Sequence, residues 1–414
     1  MFKVSVIGQG YVGFPLAIHA AEAGNTVIGY DIDAGKVSEI NSGRFTTPGL
    51  DSKVISMLIK TKKYIPTDNP GLISNSDIVV IAVPTPLDNL GDPDLSILMN
   101  AVETVAKNCK SGALVINEST SYPGTLRSLI KPIFDKVGVD SKILFASAPE
   151  RVDPGNLKWN LRNTPRVVCG LTKEATEKTI DFYQTFCNIV KETSSPEVAE
   201  ASKLFENTFR MVNISLANEF AAISNKLGFS VHEALAAAST KPFGFMAFYP
   251  SIGVGGHCIP IDPMYLSYSA KLAEAEPKLI DLAHSINKSI PRNIAENIKM
   301  LFEDDLLNKR IQIAGISYKP NIPDIRESPA LELIHELRRM GAIVTWCDPL
   351  VENYNGETSA PLDQDLDLGL IVTPHDQFDF SVWKNSDIKV IDLSANSTNY
   401  GWPKFFSDNF RKHL

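Results

Sequence analysis

A cysteine in a loop rich in glycine and proline is the residue of this sequence best placed for covalent chemistry. Cys258 follows GVGGH and precedes IPIDP, with glycines at 253, 255 and 256 and prolines at 260 and 263. The glycines allow the backbone to approach a ligand closely, and the prolines restrict the path of the chain beyond it. A thiol held in this way is a candidate nucleophile. The other four cysteines are interpreted as small buried apolar residues.

Two polar residues are spaced to act together on one face of a helix. Lys203 and Asn207 are four residues apart in a helical pattern, so both side chains are expected on the same face. An ammonium group and an amide presented together would stabilise negative charge on an oxygen atom. From the spacing alone, a solvated lysine and a capping-type asparagine are the alternative interpretation.

The first strand leads into a glycine motif that is typical of dinucleotide binding. Its six residues fit G-x-G-x-x-G and open a helix: Gly8, Gln9, Gly10, Tyr11, Val12 and Gly13. Asp31 ends the second strand, where its carboxylate would bind a ribose and repel a 2′-phosphate, so NAD⁺ is favoured over NADP⁺. Thr85, at a later strand end, faces the expected cofactor crevice. A glycine turn that only packs a helix against a sheet is the alternative.

The composition indicates which kinds of partner the protein is expected to bind. The chain has 414 residues, 44% hydrophobic and 21% charged, with a formal charge of −8. That charge argues against a nucleic-acid or anionic-membrane surface, so a small-molecule partner is expected. The N-terminus resembles no export signal and no apolar run is long enough to span a membrane, which predicts a cytoplasmic location. The five scattered cysteines lack metal-ligand spacing, so no metal site is expected.

The secondary-structure elements that must position these residues are expected to alternate between strands and helices. Nearly continuous apolar runs alternate with helical stretches from KVSVIG to KILFASAPE, which predicts a doubly wound parallel sheet. One helix of about 32 residues, roughly 48 Å long, is expected from Pro196 to the stop at Gly228. The alternation of apolar runs and helical stretches resumes from Lys309. The predicted regions are 1–193, 194–301 and 302–414, with two Rossmann-like domains on either side of a helical region.

Seven motifs in order resemble the UDP-glucose/GDP-mannose dehydrogenase family. They are GQGYVG, VPTP, INEST, APERVDPG, AEASKLFENTF, GVGGHCIPIDP and YKPNIPDIRESPAL, between about residues 8 and 332. APERVDPG and TKPFGFMAFYP resemble most closely the UDP-N-acetylhexosamine branch, especially UDP-N-acetylglucosamine 6-dehydrogenases. The resemblance implies an NAD-binding domain, a central helical region that forms a homodimer or higher oligomer, and a UDP-binding domain.

The resemblance also implies roles for individual residues. Cys258 would attack the C6 aldehyde left by a first hydride transfer, and water would hydrolyse the thioester left by a second. Charge on the C6 oxygen would be stabilised by Lys203 and Asn207, while Asp262 would hold the catalytic water or the lysine. Glu150 would assist proton transfer, and Thr120 would contact both the cofactor and the water network. Lys36 and Arg326 match cofactor positions. The remaining matches, to the nucleotide-sugar site, are Arg151, Tyr249 to Gly255, Tyr318 and Lys319.

Departures from the family pattern bear on the substrate. Ile261 and Pro154 replace a lysine and a glutamate common in UDP-glucose dehydrogenases, which weakens that interpretation, and PSIG replaces the usual PGPG at residues 250–253. We expect UDP-N-acetylglucosamine, with UDP-N-acetylmannosamine, UDP-N-acetylgalactosamine and UDP-glucose as competing substrates. Alternatives of other kinds are a non-catalytic NAD or nucleotide-sugar sensor and a two-electron alcohol dehydrogenase that needs no thiol.

Overall fold

The described residues form two compact units, and the α/β fold class predicted from the sequence is confirmed. The computed structural model describes residues 1–45, 47, 49–138, 142–153, 156, 158–395 and 401–405. One unit comprises Met1–Glu206 with Met264–Ala275, and the other Asn207–Pro263 with Glu276–Leu414. The division into three functional regions stays a prediction.

An eight-stranded sheet forms the centre of the first unit. Its strands pair in the order β3-β2-β1-β4-β5-β6-β7-β8, and all neighbours are parallel except β6 and β7. The order reverses between β1 and β4, the position where sheets of this kind bind ligands. The strands are β1 (Lys3–Ile7), β2 (Thr26–Tyr30), β3 (Tyr64–Thr67), β4 (Ile78–Ile81), β5 (Leu114–Asn117), β6 (Leu144–Ser147), β7 (Arg166–Gly170) and β8 (Val190–Glu192).

Helices cover this sheet, which explains why its central strands are apolar along their whole length. All four residues of β4, IVVI, are buried, as expected for a parallel strand covered on both faces. The helices of the unit are α1 (Gly13–Glu22), α2 (Ala34–Asn41), α3 (Ser52–Lys60), α4 (Ser96–Asn108), α5 (Lys131–Val137) and α6 (Lys173–Gln184), with a 3₁₀ segment at Pro70–Asn75 and a π-helical one at Leu126–Ile130.

The long helix predicted from the sequence is present with the predicted bounds. Helix α7 runs from Pro196 to Leu227, and Gly228 follows in the left-handed conformation with φ of 80°. Since Glu206 and Asn207 lie within it, α7 contributes residues to both units. Ser230 caps α8 (Val231–Ser239), as its sequence indicates. Two further helices follow, α9 (Asp262–Leu272) and α10 (Lys278–Leu301).

A four-stranded parallel sheet forms the core of the second unit, with strand order β10-β9-β13-β14. Its strands match the apolar runs predicted beyond Lys309. They are β9 (Arg310–Ala314), β10 (Ile343–Cys347), β13 (Leu368–Ile371) and β14 (Val390–Asp392), with α11 (Pro329–Arg339), α12 (Ser381–Lys384) and a short antiparallel pair, β11 (Asn353–Tyr354) and β12 (Glu357–Thr358).

Among the described residues, no helix is both long enough and apolar enough to cross a membrane.

Two isoleucines of the second sheet provide a matched test of this core. Ile313 on β9 is fully buried, whereas Ile343 on the edge strand β10 is 52% exposed. We expect Ile313→Ala to lower the free energy of unfolding of this unit by about 2–5 kcal/mol, because a cavity forms in a packed core. Ile343→Ala should change it by less than about 1 kcal/mol. Urea titration followed by tryptophan fluorescence measures both, and equal losses would contradict this assignment of the core.

Candidate active site

The glycine motif forms a tight turn between β1 and α1. A Cβ added at Gly13 would overlap the carbonyl oxygen of Gly8, and one at Gly8, where φ is 89°, would lie 2.5 Å from the carbonyl oxygen of Ala82. A Cβ added at Gly10 would meet nothing within 4 Å. Two glycines are therefore required by packing, while the middle one borders open space at the start of a helix. Backbone N–H groups at such a start favour a phosphate.

Asp31 lies at the end of β2 and is held next to this turn. Its Oδ2 accepts hydrogen bonds from the backbone N–H of Gln9 at 2.7 Å and from Lys36 Nζ at 3.1 Å, and its Oδ1 accepts one from Asp33 N–H at 3.0 Å. These contacts orient the carboxylate beside the glycine turn. The structure thus places Lys36 against Asp31, and through Asp31 next to the turn.

A hydroxyl group in the loop that follows β4, rather than at the strand end expected from the sequence, supports a ligand site at this edge. Thr85 is 1% exposed, and its Oγ1 has no hydrogen-bond partner among the described residues. A buried hydroxyl without a partner is costly, and a bound polar ligand would relieve that cost. The open space at Gly10, the turn, Asp31 and Thr85 together fit a dinucleotide.

Helix α7 presents two ionisable side chains to the loop after β5. Lys203 Nζ donates to Thr120 Oγ1 at 2.7 Å, with both residues buried. One turn earlier, Glu200 accepts from the N–H groups of Gly124 at 2.6 Å and Leu126 at 3.1 Å. Burial raises the pKa of Glu200 to about 7, although these two hydrogen bonds oppose the rise. Lys203 and Thr120, two separately predicted site residues, are therefore in direct contact.

A buried cluster of charges surrounds Glu150, and sequence reasoning did not find its centre. The guanidinium of Arg166, at the start of β7, pairs with both Glu150 and Glu118 and lies 4.8 Å from the centroid of the Tyr183 ring. The signal in the sequence was a charged residue that opens an otherwise apolar run, RVVCG. Its partners are too distant in sequence to be inferred from that signal.

The Arg151 side chain forms hydrogen bonds to other residues of the first unit. Its guanidinium forms two hydrogen bonds with the carboxylate of Glu206 on α7 and donates to the carbonyl oxygen of Pro165 at 2.8 Å. The preceding residue, Glu150, is thereby fixed between this anchored arginine and Arg166. Pro154, one of the departures from the family pattern, lies outside the described residues.

In the second unit, the loop that leads to Cys258 lies against residues 318–329. A Cβ at Gly255 would lie 2.6 Å from the carbonyl oxygen of Glu327 and 2.8 Å from Tyr318 Cβ, and one at Gly256 would overlap the Tyr318 ring. The Gly256 N–H donates to the carbonyl oxygen of Arg326 at 2.9 Å. The glycines thus permit close approach to another segment of the chain that carries predicted site residues. Arg326 itself pairs with Asp324.

The backbone of the cysteine is hydrogen-bonded to the first residue of a helix, and that residue contacts Asn207. The carbonyl oxygen of Cys258 accepts from the N–H of Asp262 at 2.8 Å, and Asp262 is the first residue of α9. Asp262 Oδ2 accepts from Asn207 Nδ2 at 2.7 Å. Three predicted site residues are therefore linked through two hydrogen bonds. Cys258 is partly exposed, and Ile261 is buried.

Two asparagines hold the PSIG segment that precedes the cysteine. Asn218 Oδ1 of α7 accepts from the Ser251 N–H at 2.8 Å, and Asn287 Oδ1 of α10 accepts from the Val254 N–H at 2.9 Å. The Ser251 hydroxyl donates to the carbonyl oxygen of Gly253 at 3.2 Å. The serine that departs from the family pattern thus braces its own loop. Tyr249, just before it, stacks on His232.

A buried aspartate and histidine hold the segment that carries Tyr318 and Lys319. Asp348 Oδ2 accepts from the N–H groups of Ile316 at 2.9 Å and Ser317 at 3.1 Å and lies 3.1 Å from His375 Nε2. Because His375 Nδ1 accepts from the Asn321 N–H at 2.8 Å, the ring proton must be on Nε2. Burial raises the pKa of Asp348, but His375 and the backbone donors outweigh it, and the pKa is lowered.

Three family models match consecutive parts of the chain. They describe the NAD binding domain, the central domain and the UDP binding domain of the UDP-glucose/GDP-mannose dehydrogenase family, at residues 2–187, 197–289 and 312–393. The chain belongs to this family. It is an NAD-dependent enzyme of the UDP-sugar dehydrogenase type, and the glycine turn with Asp31 lies within the match to the NAD binding domain.

Individual members of the family resemble the chain over most of its length. A UDP-N-acetyl-D-mannosamine dehydrogenase of Pyrococcus horikoshii is 35% identical, covering 92% of both chains. A UDP-N-acetyl-D-glucosamine 6-dehydrogenase of Pseudomonas aeruginosa is 33% identical, covering 84% of this chain and 83% of that protein. The solved structure of the Pyrococcus horikoshii UDP-D-ManNAc dehydrogenase superposes with a TM-score of 0.87 at 33% identity, covering 97% of each chain.

The different surroundings of Gly13 and Gly10 predict different effects of the same substitution. We expect Gly13→Ala to lower the free energy of unfolding by about 1–3 kcal/mol, because the added methyl group collides with backbone. Gly10→Ala should leave stability within about 0.5 kcal/mol of the parent while weakening NAD⁺ binding at least about tenfold, since the methyl group enters the open space next to the glycine turn, where we expect the phosphates. Denaturant titration and NAD⁺ calorimetry measure the two effects. Unchanged NAD⁺ affinity in Gly10→Ala would contradict the assigned site.

Proposed function

We propose that the chain oxidises the C6 primary alcohol of a UDP-N-acetylhexosamine to a carboxylate through a thioester on Cys258. The observation that carries this proposal is the packing of the cysteine loop against residues 318–329. That segment begins within the match to the UDP binding domain and includes Tyr318 and Lys319. A nucleophilic thiol and a nucleotide-sugar segment are thus built into one unit.

Two NAD⁺ molecules in succession supply the hydride acceptor for the two oxidation steps. After the alcohol has lost a hydride and a proton, the Cys258 thiolate adds to the C6 aldehyde and forms a C–S bond. Loss of a second hydride leaves the thioester. Water then adds to its carbonyl carbon, the C–S bond breaks, and the thiolate and the carboxylate separate with release of protons.

The hydrogen bonds of the chain suit the roles proposed for Lys203 and Asn207. Asp262 accepts a hydrogen bond from one N–H of the Asn207 amide, which fixes the orientation of the amide. The second N–H of the amide then points away from Asp262 and can donate to another group. Thr120 similarly holds the Lys203 ammonium group in a buried position. Two oriented donors of this kind would stabilise the negative oxygen at C6 in each addition step.

Glu150 and the cofactor residues complete the proposal. Glu150 would accept the proton of the attacking water during thioester hydrolysis. The NAD⁺ pyrophosphate would contact the turn from Gly8 to Gly13, with Tyr11 and Val12 in its middle, and the adenosine ribose would contact Asp31. Lys36, Thr85, Thr120 and Arg326 are proposed as further cofactor contacts, and Arg151, Tyr249, Gly255, Tyr318 and Lys319 as contacts of the UDP-sugar.

The acetamido sugar is favoured over glucose, and two epimers compete. Similar proteins bear the names of both UDP-N-acetylmannosamine and UDP-N-acetylglucosamine dehydrogenases, and the mannosamine name is the more frequent. The sequence-based preference for UDP-N-acetylglucosamine therefore competes with the C2 epimer. The buried Ile261 in place of a lysine also supports a substrate other than UDP-glucose.

The exposed apolar side of α7 supports a homodimer. Large apolar residues recur along the helix and are exposed in the single chain: Val198, Phe205, Phe209, Leu216, Ile223 and Leu227. Several of these are seven residues apart, the spacing at which one helix packs along another. We propose that a second copy of the chain covers this stripe. Light scattering that shows a monomer at micromolar concentration would exclude the dimer.

Counting NADH per sugar tests the proposed reaction. With UDP-N-acetylmannosamine or UDP-N-acetylglucosamine as limiting substrate, we expect two NADH per sugar, whereas a simple alcohol dehydrogenase gives one and a sensor none. Cys258→Ser should stall at or after the first oxidation and reduce turnover at least about a hundredfold, because the hydroxyl is a weaker nucleophile than a thiolate.

The matched control is Cys109→Ser, which changes a half-buried thiol in the first unit whose pKa is raised by burial. This variant should keep two NADH per sugar and a turnover close to that of the parent. Full activity of Cys258→Ser, or one NADH per sugar in the parent enzyme, would exclude the thioester route.

A further inference from the structure

Two carboxylates share one guanidinium in the interior of the first unit. Arg166 Nη1 lies 2.9 Å from Glu118 Oε1, and its Nη2 donates to Glu150 Oε2. Glu118 is 1% exposed, Arg166 4% and Glu150 7%. With both carboxylates ionised the three side chains carry one net negative charge, and a single bound proton makes them neutral. A low-dielectric interior favours the neutral state.

The hydrogen bonds around the two carboxylates decide which of them holds the proton. Glu150 Oε1 accepts from two backbone N–H groups, those of Arg151 and Val152, each at 2.7 Å. Glu118 Oε1 accepts from the Tyr183 hydroxyl, but its Oε2 has no hydrogen-bond partner among the described residues. Backbone donors stabilise the ionised form of Glu150, so the proton belongs on Glu118.

The direction of both pKa shifts agrees with this assignment. Burial raises the pKa of Glu118 to about 7, the charge of Glu150 adds to the rise, and Arg166 and Tyr183 oppose it. Burial also raises the pKa of Glu150, but Arg166 and the two backbone N–H groups outweigh it, so that pKa is lowered. The other titratable groups that act on Arg166 are Tyr183 and Cys187, and burial raises the pKa of both well above neutrality. Arg151 is paired with Glu206.

We propose that Glu118 and Arg166 are positioning residues for thioester hydrolysis, with the protonation of Glu118 setting the strength of Glu150 as a base. This inference rests on the proposed function, in which Glu150 accepts the proton of water. When Glu118 is protonated, the guanidinium acts on Glu150 alone and makes it a weak base. When Glu118 is ionised, it competes for the guanidinium and repels the Glu150 carboxylate, whose proton affinity rises.

The test is the pH dependence of thioester hydrolysis in the parent enzyme and in Glu118→Gln. Enzyme, NAD⁺ and a UDP-N-acetylhexosamine are mixed to form the Cys258 thioester, the pH is changed, and mass spectrometry of the intact protein follows its decay. The glutamine keeps an acceptor for Tyr183 and Arg166 while it imitates protonated Glu118. The ratio of parent rate to variant rate cancels effects common to both, such as hydroxide concentration.

We expect this ratio to rise from about one near pH 5.5 to between about three and ten near pH 8.5, with a midpoint near 7. The matched control is Glu177→Gln, an exposed carboxylate on the same helix as Tyr183, for which the ratio should stay at one. A ratio for Glu118→Gln that is constant with pH would mean a structural role only and would overturn the inference.

A second variant keeps the inference testable if Glu118→Gln does not fold. Tyr183→Phe removes the hydroxyl that favours ionised Glu118, so the rise in rate should move to higher pH and the ratio of parent to variant should peak near neutral pH. A ratio that is constant with pH would overturn the inference.

Infrared titration gives a readout that does not need turnover. Because burial raises the pKa of both Glu118 and Glu200 to about 7, the band of Glu118 is identified by its response to Tyr183→Phe. Part of the carbonyl band of buried carboxylic acids should disappear at higher pH in Tyr183→Phe than in the parent enzyme, and identical titrations in the two proteins would also overturn the inference.

The thioester measurements distinguish a failure of this inference from a failure of the proposed function. A parent enzyme that forms no thioester would exclude the proposed function itself. A parent enzyme that forms the thioester, but whose hydrolysis responds identically to pH in Glu118→Gln, would exclude only the role of the shared guanidinium.

Discussion

A buried charge must be paired, and this constraint organises the first unit. Five ionisable side chains near the ends of β5 and β6 are less than a tenth exposed: Glu118, Glu150, Arg166, Glu200 and Lys203. Each would be strongly destabilising if left alone, so each is held by a partner from another element. The pairings connect α7, the loop after β5 and the start of β7. The same contacts that make burial tolerable also fix the orientation of Glu150 and Lys203, for which catalytic roles are proposed.

Local sequence patterns predicted the elements well, because their causes are local. The start of α7 at Pro196 and its end before Gly228 follow from the proline and glycine at those positions, and both bounds are confirmed. The apolar runs of the central strands were equally clear. Strands β3, β7 and β8 were not predicted. Two of the three residues of β8, Lys191 and Glu192, are polar and exposed, and β7 begins with a buried arginine.

Individual site residues were harder to place, since their partners are distant in sequence. The contact of Lys203 with Thr120 joins residues 83 positions apart, and the hydrogen bond of Tyr183 to Glu118 joins residues 65 apart. Spacing on one helix predicted that Lys203 and Asn207 share a face, but it could not supply Arg166 as the common partner of two carboxylates. The acid that follows the second strand of each sheet could have identified Asp348, because Asp348 occupies in the second unit the position that Asp31 occupies in the first.

The close fit of Gly255 and Gly256 against Tyr318 limits how the cysteine loop of this enzyme can be redesigned. Any side chain introduced at either glycine displaces the tyrosine or the backbone at Glu327, and both belong to the segment that also carries Lys319. Diversity at the cysteine loop must therefore be introduced together with compensating changes at residue 318. Substitution of Gly255 or Gly256 alone is expected to disturb the contact between the two segments, whereas a paired change at residue 318 can preserve it.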